Sequence, residues 1–307
     1  MPPDHREHAP PAQGVSAALR ALLTGIVDYA GLFPPASLDT ATAARNYHAY
    51  RSSDDRWMLG RFVVGIAKLP ELRPTIAGLR GKGEAWPVSV VAPDAAAATS
   101  VLRGPDDANA RIESVEVKAT SAADVALIGR AAPKTREVYV EVPLDGSTPA
   151  LLDAILNAKL RAKLRTGGVT ANAFPAAADV ISFSRACLDR DLAFKATAGL
   201  HHPLRGSYRL TYDGGSPMGT MYGYLNVFLA AVFMQEGLSD KEAVELLGES
   251  DPASIMVEDQ SIRWRDHAIQ ADAIATVRAS AATSFGSCSF REPVDELPFP
   301  VSSPAPA

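Results

Sequence analysis

Residues 161–202 read RAKLRTGGVTANAFPAAADVISFSRACLDRDLAFKATAGLHH. The stretch opens on a short alternating run, Arg161 to Gly167, and passes through an Ala-rich segment at helical spacing, Ala176 to Leu188. It closes on a second strand-like run, Ala193 to Leu200. Strand, helix and strand in that order form the crossover unit of a parallel sheet.

Working outward, strand-like runs recur upstream at Ile26 to Phe33, Arg61 to Lys68, Trp86 to Ala92, Ile112 to Ala119 and Glu137 to Pro143, and downstream at Thr283 to Phe290. Helical segments lie between them, among them Ala41 to Tyr50, Ala95 to Leu102, Ala122 to Ala131, Pro149 to Ala158, Tyr222 to Gln235, Asp240 to Leu247 and Ala268 to Ala281. Eight strands alternating with helices predict an α/β fold, a single-domain (β/α)8 barrel over residues 14–297. A doubly wound open sheet is the alternative, although no G-x-G-x-x-G turn follows the first strand. Residues 206–264 form an insertion before the last strand, with a Gly-rich loop, TYDGGSPMGT, and a hairpin at Ile255 to Trp264. It reads as a lid or a contact between copies of the chain. Residues 1–13 and 298–307 are Pro- and Ala-rich and are expected to be disordered tails.

The chain has 307 residues, 47% of them hydrophobic, which is ample for a large core. Its net charge is -5, and its 30 basic residues are scattered singly, which argues against a nucleic-acid partner. The longest apolar run, Tyr222 to Met234, is shorter than the roughly 20 residues of a membrane span and is interrupted by Asn226. That run suits burial against the barrel or in a homo-oligomer contact. The amino terminus lacks the features of a secretory signal, and a cytoplasmic location is expected. Cys187 and Cys288 are too few for a disulfide framework and read as free thiols.

Residues two apart on a strand share a face. In four consecutive strands one face carries charge while the other is aliphatic: Glu116 and Lys118, Glu137 and Glu141, Lys163 and Arg165, then Lys195 with Thr197, Gly199 and His201. One reading is a wet sheet face with solvated charges. The other turns these residues inward, gathering Glu116, Glu141, Lys163, Arg165 and Lys195 at the carboxyl end of the barrel, where active sites of this fold collect. Two neighbouring buried lysines repel, so at least one is expected to be neutral near pH 7 and able to form a Schiff base, with a nearby glutamate moving the proton.

Three local patterns resemble the deoxyribose-phosphate aldolase family of class I aldolases. Lys163-Leu164-Arg165-Thr166-Gly167 is similar to its K-x-x-T-G on strand six, Lys195-Ala196-Thr197-Ala198-Gly199-Leu200 to its K-A-x-G-G-[IV] on strand seven, and Phe285-Gly286-Ser287-Cys288-Ser289 to its F-G-x-S-S on strand eight. The resemblance implies a lyase in which Lys163 forms the Schiff base, Lys195 tunes it, Glu116 joins the proton relay, and Gly199, Gly286 and Ser287 lie near an anionic group. The sequence departs from that pattern at Arg165, at Glu116 where the family has Asp, and at His201-His202-Pro203-Leu204-Arg205. The resemblance is therefore not extended to a deoxyribose phosphate substrate.

The expected activity is aldolase-like, acting on a small anionic carbonyl compound and needing no cofactor. Lys163, Lys195, Glu116 and Glu141 are its catalytic candidates, and Asp28, Arg165, Thr197, Gly199, His201, His202, Arg205, Gly286 and Ser287 its binding candidates. Adjacent histidines on an extended chain point to opposite sides, so at most one of His201 and His202 faces the site. Asp28, which precedes a rigid Pro34-Pro35 turn, is either a lysine-pairing acid or a turn-orienting residue. Two other readings stand beside this one. The first is a divalent-metal lyase or isomerase with Asp28, Glu141 and His201 as ligands, and the second a non-catalytic protein binding an anionic metabolite. Cys288 would need a nearby base to act as a nucleophile, for which His201 is the candidate, and otherwise reads as a packed thiol.

Overall fold

The computed structural model describes residues 15–80, 83–105 and 107–299; the expected tails lie outside these, except for residues 298 and 299. Eight parallel strands close into a barrel: β1 (Val27–Tyr29), β2 (Leu59–Gly65), β3 (Trp86–Ala92), β4 (Ala110–Lys118), β5 (Glu137–Glu141), β6 (Arg161–Arg165), β7 (Phe194–Thr197) and, after the insertion, β13 (Ala282–Ser287). Each of the eight falls within or overlaps a run legible in the sequence. The strand β13 closes the ring by pairing with both β7 and β1.

The outward face of the strands carries the aliphatic residues, such as Val138, Val140, Ala162, Leu164 and Ala196, all buried under the helices. Several helices start where a short polar side chain caps the first turn. Asp39 accepts from the backbone N–H of Thr42, Asp94 from that of Ala97 and Ser121 from that of Asp124. Three helices escape the sequence reading, Ala17–Leu23, Leu69–Arg80 and the five-residue Arg291–Asp295, the second because Pro70 and Pro74 interrupt its pattern.

The insertion is more regular than a loop. It contains an antiparallel pair, β8 (Gly206–Arg209) with β9 (Met218–Met221), and a three-stranded sheet, β10 (Ile255–Val257), β11 (Ser261–Trp264) and β12 (His267–Gln270). The expected hairpin at 255–264 thus gains a third strand, which takes the first residues of the expected helix at 268–281; that helix runs Ala271–Ser280. Helix Tyr224–Gln235 is buried within the chain itself: the Tyr224 ring stacks on Phe285 of β13 with centroids 5.0 Å apart. No helix among the described residues is long and apolar enough to cross a membrane.

Candidate functional site

The inward face of the barrel is ionic rather than filled by layered aliphatic side chains. Lys163 and Lys195 stand in register on β6 and β7, and Glu141 on β5 is in register with Lys163. Glu116 reaches in from β4 and lies between the two lysines. Its Oε1 accepts from Lys195 Nζ at 2.7 Å and its Oε2 is 2.8 Å from Lys163 Nζ. Lys195 Nζ also donates to Asp28 Oδ2 on β1 at 2.6 Å, and Lys163 Nζ lies 3.1 Å from Glu141 Oε2. The result is a line of alternating charge across the barrel, Asp28, Lys195, Glu116, Lys163, Glu141, continued to the rim by Arg165 Nε, which donates to Glu141 Oε1 at 2.9 Å.

This line changes the expectation for the lysine pair. The repulsion that was to neutralise one lysine is interrupted by Glu116. For Lys195 burial opposes the charge, but Asp28 and Glu116 outweigh burial and hold the ammonium above the ordinary lysine range. Lys195 is therefore a fixed cation, not a neutral nucleophile. Burial likewise favours the neutral acid at Glu116, yet the charges and hydrogen bonds of Lys163 and Lys195 keep its carboxyl well below the usual carboxylate range. Glu141 is lowered too, by Lys163 and Arg165 against the pull of burial.

Above the line, at the carboxyl ends of the strands, opens a cavity of about 550 Å3. One wall is apolar, with Phe33, Pro34, Pro35, Val63, Val91 and Val117. The other is polar, with Lys163, Arg165, Glu141, Thr197, Gly199 and His201. Lys163 is 5% exposed and borders the cavity, whereas Lys195 is 0% exposed and sits beneath it. The wall after β7 depends on two successive left-handed residues, Ala198 at φ 64° and Gly199 at φ 73°. A Cβ on Gly199 would lie 2.7 Å from the Phe174 ring, so only glycine fits there. Thr166 Oγ1 donates to the Ala198 carbonyl at 2.7 Å and holds the turn.

Not every candidate meets the cavity. Asp28 lies below Lys195, where Ser284 Oγ donates to its Oδ2 at 2.8 Å and the Arg61 backbone N–H to its Oδ1 at 2.8 Å. Gly286 lines the cavity, while buried Ser287 instead approaches His201 Nδ1 at 3.4 Å. The two histidines diverge: His201 lines the cavity, and His202 stacks on Tyr208 at 3.5 Å with its Nδ1 2.6 Å from Glu296. Neither His202 nor Arg205 borders the cavity. Arg205 is held in its loop by its backbone N–H, which donates to Asn226 Oδ1 at 2.8 Å. Asp28, Glu141 and His201 do not converge, and no three His, Cys, Asp or Glu side chains among the described residues are arranged to hold a metal ion.

Four contributors went unread in the sequence. Ser89 Oγ donates to Glu116 Oε1 at 2.7 Å and itself accepts from Ser114 Oγ at 2.7 Å. A single hydroxyl in the apolar run WPVSVVA, at the parity of Val91, was the available signal. Glu292 Oε2 lies 3.4 Å from His201 Nδ1, and Tyr212 OH donates to the same Glu292 oxygen at 2.8 Å. Both come from irregular or short segments with no periodicity to mark them.

The chain matches no protein-family model, and no curated protein is significantly similar to it. The likeness to deoxyribose-phosphate aldolases thus consists of the three short motifs and the barrel.

Proposed function

We propose that the protein is a lyase of the class I aldolase type, forming an imine between Lys163 and a small anionic carbonyl compound. The observation that carries this reading is the asymmetry of the lysines: Lys163 borders the cavity, and Lys195 is locked beneath it between two carboxylates.

In this mechanism Lys163 gives its proton to Glu141, the carboxylate that shares the cavity wall, and its free amine attacks the carbonyl carbon. Loss of water from the carbinolamine gives the iminium, with Glu141 returning the proton to the departing oxygen. Glu116 stays anionic throughout because Lys195 and Ser89 pin it, and it serves as counter-ion to the iminium. The iminium draws electrons from the adjacent C–H bond, whose proton passes to Glu141, or from the adjacent C–C bond, whose other fragment leaves as a carbonyl as its hydroxyl proton passes to Glu141; either cleavage leaves an enamine that a proton or an acceptor carbonyl quenches. Arg165, 44% exposed at the rim, presents a guanidinium to the substrate's anionic group, and the apolar wall receives its carbon skeleton.

Exchange chemistry tests this without knowledge of the natural substrate. In deuterated water, small keto acids, ketones and aldehydes that form the enamine should exchange their α-hydrogens, followed by proton NMR. Exchange that is lost in Lys163→Ala supports the reading; exchange that persists in that variant at the wild-type rate refutes it.

A further inference from the structure

The cavity has a second reactive group that the lysine chemistry does not use. Cys288 follows β13 and lines the cavity at 5% exposure, and its Sγ lies 3.8 Å from His201 Nδ1 and 3.5 Å from Tyr212 OH. His201 Nδ1 is approached also by Ser287 Oγ and by Glu292 Oε2, each at 3.4 Å. Its Nε2 has no partner among the described residues, and the ring borders the cavity. One side of the imidazole is thus backed by a thiol, a hydroxyl and a carboxylate, and the other is left for whatever enters.

The charges around the pair favour a proton on the ring. Burial pushes His201 down, but its hydrogen bonds to Cys288 and Glu292 outweigh burial and lift it to about 9. Tyr212 from the β8–β9 loop and Tyr29 from β1 also face the thiol, and both phenols are raised, Tyr29 to about 12, so both stay uncharged and protonated near neutrality. Tyr212 and His201 hold the Glu292 carboxylate beside the pair. Cys187 provides a contrast: it is fully buried, and burial pushes its thiol far up.

We propose that Cys288 and His201 form a second nucleophilic site in this cavity, a thiol–imidazole pair that captures a small uncharged aldehyde as a reversible hemithioacetal. Sγ attacks the carbonyl carbon and forms the C–S bond, while the π pair moves to oxygen. That oxygen takes the proton of the imidazolium, and the thiol's own proton passes to the imidazole, so the net addition is one thiol to one aldehyde with no oxidant or reductant. The site stands independently of Lys163.

The test is alkylation of the whole protein with iodoacetamide at pH 7, with the rates at both cysteines followed by peptide mapping, in wild type, Lys163→Ala and His201→Asn. Cys288 is expected to label at least about tenfold faster than Cys187 at pH 7, since thiolate character and access govern the rate. Its labelling rate should fall in His201→Asn, and propionaldehyde should slow its labelling in Lys163→Ala as it does in wild type. If His201→Asn does not fold, Glu292→Gln keeps the ring and should slow the labelling in the same direction by less. Labelling of Cys288 no faster than Cys187, a labelling rate unchanged in the folded variant, or no protection by aldehyde in Lys163→Ala would each overturn the proposal. Protection in Lys163→Ala separates failure of this site from failure of the imine.

Discussion

The two ends of the barrel are built from the same residue types with opposite results. At the amino end, Arg61 donates to Glu137 at 2.8 Å and to Glu113 at 3.1 Å, Arg161 lies 2.8 Å from the other Glu137 oxygen, and Tyr139 OH donates to Glu137 at 2.9 Å. Arg278 closes that end by donating to the carbonyls of Leu22, Thr24, Ala282 and Thr283. Each of these charged groups is engaged by others of the same chain, and the polar chamber they line, about 410 Å3, has no apolar wall comparable to that of the upper cavity. At the carboxyl end the line of ions stops against an open space with one apolar side, and Lys163 and His201 stand at its border. Buried charges that complete one another hold a fold together, whereas a charge beside a half-apolar cavity is placed to meet a ligand.

The largest effect should come from the ion that links the two ends. Lys195→Met removes a fully buried cation and leaves Asp28 and Glu116 facing each other, and urea denaturation should register a loss of about 3–5 kcal/mol. A loss below about 1 kcal/mol would mean that the line of charge does not hold the barrel centre.

His201 gives the next largest effect and a signature in pH. Its folded value, about 9, lies above the ordinary 6.5, so its stabilisation is complete below pH 6.5 and fades as the pH rises through 9. Wild type should therefore lose about 3 kcal/mol relative to His201→Asn across that window. The carboxylates act at the opposite extreme. Glu116 and Glu141 are lowered, so their contribution is present above the usual carboxylate range and is lost only as the pH falls below it.

At the amino end, Arg61→Met should cost about 1–3 kcal/mol in the same urea assay, because it breaks charged hydrogen bonds. It should leave α-hydrogen exchange at the other end unchanged, and a loss of exchange equal to that of Lys163→Ala would erase the distinction between the ends. Smallest of all, Lys118→Ala removes an exposed partner 3.5 Å from Glu141 and should cost less than about 1 kcal/mol.

Alternation exposed the barrel because its strands separate aliphatic from charged faces: Val138 and Val140 against Glu137, Tyr139 and Glu141 is visible in five consecutive residues. The same pattern identified which side chains point inward. It could not reveal which of them touch, since Lys195 meets Asp28 and Glu116 across the barrel from strands distant in sequence. That is why the repulsion between the lysines looked unopposed. Of the cluster around Cys288, the sequence offered His201 as a partner, but Glu292 and Tyr212 were hidden for a related reason: they come from a loop and a five-residue helix, neither of them periodic.

The central claim is that the cavity lysine, and not the locked one, carries the chemistry. Borohydride reduction of the protein with a panel of small aldehydes, ketones and keto acids, followed by peptide mapping, tests it most directly. The account predicts a stable mass adduct on Lys163 that is absent from Lys163→Ala. An adduct on Lys195, or no adduct on either lysine with any member of the panel, would contradict it.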